Sequence, residues 1–235
     1  MSSTPPDIAE LLPAVDAPQA EAVRWLADYV CRPHPELGRD GAVCPFMLPA
    51  ARGGTVRLHT RTGLATAGGA ELRALVREMA RTFRTAQWAR SNPVIHCLIL
   101  VLPDLPRSHG HLLDAVQAEL KAELAGDGLM LGQFHPDCPE PAARNPEFPV
   151  SRSPVPMLAM RNMALHDVLF LHHDPELFQQ YRLRFGARFE PDVSVAQVYR
   201  EAYEAGAAAC PVRTPHPTTT EHPTTTEHPT TTETR

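Results

Sequence analysis

Lysine is nearly absent: Lys121 stands alone, so arginine carries almost all of the basic charge of the 235 residues. Lys121 falls on the polar face of an amphipathic segment. The Schiff base that pyridoxal phosphate chemistry requires therefore has no other lysine to form on, and that chemistry is set aside. Long apolar runs are also missing. The longest is Cys97–Leu102, far short of the ~20 residues that span a bilayer, so no membrane partner is expected. The opening MSSTPPDIAE has neither a basic start nor an apolar stretch, and a cytoplasmic protein is expected. A basic field is lacking as well. The formal charge is −5, with Asp7, Glu10 and Asp16 in the first twenty residues, which leaves the middle of the chain near neutral. No nucleic-acid partner held by phosphate neutralisation is expected. There is no G-x-x-x-x-G-K-[ST] loop, no G-x-S-x-G and no H-E-x-x-H, and Gly126-Asp127-Gly128 precedes an apolar strand pattern instead of following one. Five cysteines without an export signal read as reduced thiols or ligands, not as a disulfide framework.

What is present is enough apolar material, 43% of residues, for one sizeable core. Three tandem copies of HPTTTE run from His216 to Glu233 without an apolar side chain, so residues 211–235 read as a disordered tail. Residues 1–20, with Pro5, Pro6, Pro13 and Pro18, read as an extended arm with one turn near Ile8 to Leu12. Residues 21–210 are then the globular domain. Val23, Leu26, Ala27 and Val30 predict a short helix. Strict alternation from Val56 to Thr62 predicts a strand whose second face shows Arg57, His59 and Arg61. Leu72, Leu75, Val76, Met79 and Phe83 recur at helical spacing, with Arg73, Arg77, Arg81 and Arg84 on the opposite, solvated side. The run Val94–Leu102 predicts a central strand, and Leu113, Val116, Leu120 and Leu124 predict a second long helix after Ser108. Short strands near 129–134 and 155–160 follow. Three helical patterns complete the domain, the last opened by a capping box of Ser194 and Gln197. The expected class is α+β: a single domain with a small mixed β-sheet, helices on one face and a helical C-terminal part.

Several residues are candidates for chemistry. Cys44-Pro45, Cys138-Pro139 and Cys210-Pro211 put three of the five cysteines before a proline, which holds the cysteine backbone out of the helical region. A thiolate at Cys44 is a candidate ligand for haem iron, against the plain reading that 25 prolines make such neighbours. Cys31-x-x-His34 and His135-x-x-Cys138 would supply four zinc ligands if their loops met. His135 leaves a strand at Gly132-Gln133-Phe134-His135-Pro136, where a rigid edge hands over to a loop and binding residues gather; a structural histidine is the competing reading. Met157, Met160 and Met163 read as core or pocket lining. His166 beside Asp167 suits acid-base work, although adjacent residues on a helix do not face each other. His172-His173-Asp174 reads as a cap for the next helix. Arg57, His59 and Arg61 on one sheet face could hold a carboxylate bidentately, with Arg161 joining them.

From about Trp25 to Phe185 the chain resembles a bacterial and fungal domain family of unknown function found in natural-product gene clusters. The segments that carry this are Cys31-Arg32-Pro33-His34-Pro35-Glu36-Leu37-Gly38-Arg39, Val43-Cys44-Pro45-Phe46, Gly132-Gln133-Phe134-His135-Pro136 and Ser153-Pro154-Val155-Pro156-Met157-Leu158-Ala159-Met160-Arg161. The Cys-Pro-Phe segment and the order of elements are also similar to the YqcI/YcgG family, which includes haem-dependent guanidine N-hydroxylases. That resemblance implies a tailoring enzyme of secondary metabolism that oxidises an amino-acid-like or guanidino substrate on haem. His135 or Cys44 would be the axial ligand, His166 would do acid-base work, and Arg57, His59, Arg61 and Arg161 would bind carboxylates of substrate or cofactor. The alternative expectation is a non-catalytic protein that binds a carboxylate-bearing small molecule, with a structural zinc on Cys31, His34 and Cys138.

Overall fold

The alternating segment near residue 56 and the apolar run near residue 97 are neighbouring strands in the computed structural model, which describes residues 8–90 and 92–210. In chain order the elements begin with α1 (Ile8–Leu11), α2 (Ala17–Trp25) running on into one π-helical turn (Leu26–Val30), α3 (Met47–Arg52), β1 (Val56–Thr60) and α4 (Gly69–Thr85). Next come β2 (Cys97–Val101), α5 (Gly110–Gly126), β3 (Leu129–Phe134), the short pair β4 (Pro141–Ala142) and β5 (Asn145–Pro149), and β6 (Met157–Asn162). The chain closes with α6 (Val168–Leu171), α7 (Pro175–Phe185) and α8 (Gln197–Ala209). The class is mixed α+β, as the sequence predicts.

The main sheet has the order β1-β2-β6-β3. β1 runs parallel to β2, while β6 is antiparallel to both β2 and β3. It follows that β1, β2 and β3 all point one way. α4 and α5 each carry the chain back to start the next parallel strand, and β6 arrives last to fill the gap between β2 and β3.

The apolar stripe of α4 (Leu72, Leu75, Val76, Met79, Phe83) and that of α5 (Leu113, Val116, Leu120, Leu124) bury themselves on Leu98, Leu131, Leu158 and Met160 of the sheet. The arginine side of α4 is not simply solvated. Arg73 bonds Glu119 and Arg77 bonds Glu123, each pair 46 residues apart, and Arg84 bonds Asp127. A constant offset is what parallel helices give, so the stripe is a half-exposed ion ladder between α4 and α5.

The second face of the sheet is covered by the N-terminal segment. Ile8, Leu12, Val23, Leu26 and Met47 pack over Cys97, Ile99, Val101 and Met157. Helices therefore lie on both faces, long ones on one and short ones on the other. Much of the stretch read as an extended arm is helical for a local reason. Asp16 caps α2 by accepting the Gln19 N–H at 2.7 Å, and Pro18 sits in the first turn, where its missing N–H has no partner to lose. At the C-terminal end α6, α7 and α8 pack around Phe178, Tyr181 and Phe189. α8 starts after Ala196 without a side-chain cap, so the Ser194 box does not form. No helix among the described residues is long and apolar enough to cross a membrane. The repeat tail predicted at 211–235 lies outside the described residues.

Candidate functional site

A cavity of about 270 Å³ opens on the second face of the sheet, against the outer strand β3. Cys97 and Ile99 of β2, Met157, Ala159 and Arg161 of β6, and Met130, Gly132 and Phe134 of β3 line it. Trp25, Leu26 and Val30 line it from α2 and the π-helical turn, and Cys44 and Met47 from the following loop and α3. The π turn is closed by the Cys31 N–H donating to the Leu26 carbonyl, five residues back, at 2.9 Å. Widened turns of this kind occur often at functional sites.

One end of this apolar space is charged. The Arg161 guanidinium donates to both oxygens of Asp167, at 2.5 and 2.7 Å, and to the Asn162 carbonyl at 3.0 Å. Asp167 is fully buried and also accepts the Ala164 N–H at 2.7 Å. Burial works against the Arg161 charge, and the Asp167 carboxylate more than offsets it, so its pKa is raised. His166 stacks on Phe46 with ring centroids 4.6 Å apart, and its Nε2 lies 3.4 Å from Asp167 Oδ1 and from Arg161 Nη2. Burial pulls the imidazole down from 6.5 to about 4, against the opposing pull of Asp167. His166 is therefore neutral at physiological pH. Its neighbour Asp167 does reach it, because the two lie in a tight 3-10 turn (Leu165–Asp167) with Arg161 between them.

Three thiols gather near this end. Cys44 lies close enough to both Cys31 and Cys97 to influence their titration. Burial pushes Cys31 up to about 11 and Cys97 up to about 12, so both carry their protons at neutral pH and are poor nucleophiles.

The structure thus brings Cys44, Arg161 and His166 to one site, with Cys31 beside them, and sends the other predicted residues elsewhere. Val56 and Leu58 of β1 face the N-terminal helices, so Arg57, His59 and Arg61 look out on the α4 side, the face opposite Arg161. Arg57 lies over the Trp88 ring at 5.0 Å and bonds the Gln87 carbonyl, and Arg61 pairs with Glu78 at 3.6 Å. His59 is exposed beside a shallow recess against α4. A joint carboxylate clamp with Arg161 is not formed. His34 stacks on Phe148 at 4.4 Å, and its Nδ1 accepts the Glu36 N–H.

The expected four-ligand zinc set is not assembled, because the Cys31–His34 loop packs on the π-helical turn and β5. His135 and Cys138 instead meet Asp114 of α5. His135 Nε2 is 3.0 and 3.1 Å from the two carboxylate oxygens, and Cys138 Sγ is 3.7 Å from Oδ1. Both residues are buried, and burial pushes the Cys138 thiol up to about 12. Sequence reasoning misses Asp114. The available signal is the spacing of Asp114, Gln117 and Lys121, which puts a polar stripe on the edge of α5 next to β3.

A haem does not fit the residues expected to hold it. His135 has Nε2 on Asp114, and its Nδ1 is so close to Gly110 that a Cβ there would meet it at 2.4 Å. Cys44 does line a cavity, but one of about 270 Å³, at the small end for a ligand pocket and suited to a ligand more compact than a porphyrin.

A family model described as a domain of unknown function (DUF6875) matches residues 19–196, and the chain belongs to that family. No curated protein and no solved structure matches it.

Proposed function

We propose that this member of a family without an assigned function is a small-molecule-binding protein. Its ligand is compact and mostly apolar, and it presents a carboxylate or carbonyl oxygen to Arg161. The observation that carries this is a largely apolar cavity, which Lys121 and Glu140 also line, with the Arg161 guanidinium held in place by a buried carboxylate. Apolar walls with a few fixed polar groups are the usual make-up of ligand pockets, and the bidentate grip of Asp167 fixes the guanidinium before a ligand arrives, leaving its remaining N–H groups to donate. Binding is better supported than catalysis by His166, because a general base works best with a pKa near the operating pH and this imidazole lies at about 4. The resemblance to haem-dependent N-hydroxylases carries less weight, since the cavity is small and His135 is enclosed.

Trp25 lines the cavity and Trp88 lies on the other face, so a Trp88→Phe chain reports from the site alone. Titration with a phenylacetate-type acid, its amide and the matching amine should give saturable quenching with the first two and none with the amine. Ala159→Leu, which fills the floor, should abolish it. Absence of quenching by all three, or quenching that survives Ala159→Leu, overturns the proposal.

A further inference from the structure

At the carboxyl end of β3, away from Arg161, the chain puts three donors of different chemistry around one small volume. His135 is the first residue after the strand. Cys138 follows in a tight turn, with its N–H donating to the His135 carbonyl at 3.1 Å. Asp114 comes down from the first turns of α5. The imidazole nitrogen, the thiol sulfur and a carboxylate oxygen all lie within 4.8 Å of one another, and this is the one such grouping among the described residues. From Asp114 Oδ1, His135 Nε2 is 3.0 Å away and Cys138 Sγ is 3.7 Å away. A tetrahedral zinc with bonds of ~2.0 Å to N and O and ~2.3 Å to S has donor-to-donor edges of roughly 3.3–3.7 Å, close to the two edges at Asp114, and the remaining nitrogen-to-sulfur edge is within 4.8 Å.

We infer that Asp114, His135 and Cys138 form a zinc-class divalent metal site with one coordination position left for water or a ligand. Three arguments converge. One carboxylate, one thiolate and a neutral imidazole balance a divalent cation, so the occupied site is uncharged in a largely buried place. The set of N, O and S donors disfavours magnesium and calcium, which take oxygen ligands. The cluster is also braced from outside. Arg107 forks onto Asp137 with Nε to Oδ2 at 2.7 Å, tying the ligand loop to the turn that starts α5, and the Gln133 amide donates to Asp114 at 3.3 Å. Such supporting bonds orient metal ligands and tune affinity. Gly110 leaves room for the ring and keeps Nε2 turned towards Asp114. The inference does not rest on the ligand reading, although Gln133 borders the ligand cavity as well.

The test is a cobalt titration of the full chain after chelator treatment. Expected is one equivalent of Co²⁺ with a tetrahedral visible spectrum and a near-ultraviolet thiolate charge-transfer band, both displaced by Zn²⁺. The band should vanish in Cys138→Ser and persist in Cys44→Ser, with far-ultraviolet circular dichroism unchanged. Histidines of the tail repeats can bind cobalt but give no thiolate band. Should Cys138→Ser fail to fold, Gln133→Ala, which leaves all three donors in place, is expected to weaken zinc binding roughly 10- to 100-fold. Absence of the band in the unaltered chain, its survival in a folded Cys138→Ser, or zinc affinity unchanged in Gln133→Ala overturns the inference.

Discussion

On the α4/α5 side the main sheet puts forward Leu98, Leu131, Leu158 and Met160, and the two long helices close over them, with their charges arranged outside as an ion ladder. On the other side the same strands put forward Cys97, Ile99, Ala159 and Arg161. Shorter helices and a π turn leave a cavity there, with Arg161 on its wall and the paired Asp167 buried behind. The difference lies in the length of the covering elements. A long amphipathic helix presents one continuous stripe and leaves only a smaller recess of about 200 Å³ beside β1, whereas several short pieces meet at corners, and corners hold space and polar groups. The packed face supplies the larger continuous core and the other face supplies the larger cavity.

The largest effect that would break this comparison is expected at Asp167. Asp167→Asn leaves the Arg161 guanidinium without a counter-charge, and removing one partner of a buried pair costs about 3–5 kcal/mol. The corresponding change on the ladder, Asp127→Asn opposite Arg84, removes a pair whose side chains are 45% and 44% exposed and should cost less than about 1 kcal/mol. Urea midpoints at unchanged m-value measure both. Equal losses at the two positions would mean that the cavity pair is as solvated as the ladder.

Next in size is a pH effect carried by His166. Its pKa in the folded chain is about 4 against an ordinary 6.5. As pH falls through this window the unfolded chain takes up the proton first. The stability contribution is therefore whole above pH 6.5 and is lost progressively down to about pH 4, by up to about 3 kcal/mol at 1.36 kcal/mol per pKa unit. His166→Phe, which keeps a ring against Phe46, removes this dependence. The difference in unfolding free energy between the unaltered chain and this variant should be flat above pH 6.5 and slope below it. A difference flat down to pH 4 would place the imidazole in water instead of against Phe46.

The two faces were also unequally legible in the sequence. Leu72, Leu75, Val76, Met79 and Phe83 are all buried, because a helical stripe repeats often enough to be read from its period alone. The parity of Val56, Leu58 and their polar neighbours was readable for the same reason. Its consequence was not, since Arg161 belongs to β6, and nothing local to β6 says that residues 8–52 will come to cover its other side. The prolines of the N-terminal segment read as breakers, although Pro18 takes a helix start and not its interior. His135 and Cys138 share a four-residue window and could be read as a pair. Asp114 lies 21 residues from His135, and the packing of α5 back along β3, which brings the start of the helix to the end of the strand, is a tertiary fact. Charges facing charges across two helices, as Arg77 and Glu123 do, leave no local mark either.

The smallest effects test space itself. Ala80 on α4 and Ala159 on β6 are both alanines turned to the sheet interior, Ala80 in the packed cluster and Ala159 on the cavity floor. Adding an isobutyl group where neighbours already touch forces off-rotamer side chains and backbone shifts, so Ala80→Leu should cost about 1–3 kcal/mol. The same group at Ala159 enters open volume lined by Ile99, Met157 and Phe134. There the apolar area it removes from water offsets the lost side-chain freedom, and the net change should stay within about 1 kcal/mol of zero. Thermal unfolding of the two variants side by side reads the contrast, and combining Ala159→Leu with Asp167→Asn sharpens it. If the cavity is a real void, the leucine is accommodated in both backgrounds and the two effects add. If the second face instead closes up around Arg161 in solution, Ala159→Leu should destabilise the chain as much as Ala80→Leu does, and the two faces would differ in composition but not in packing.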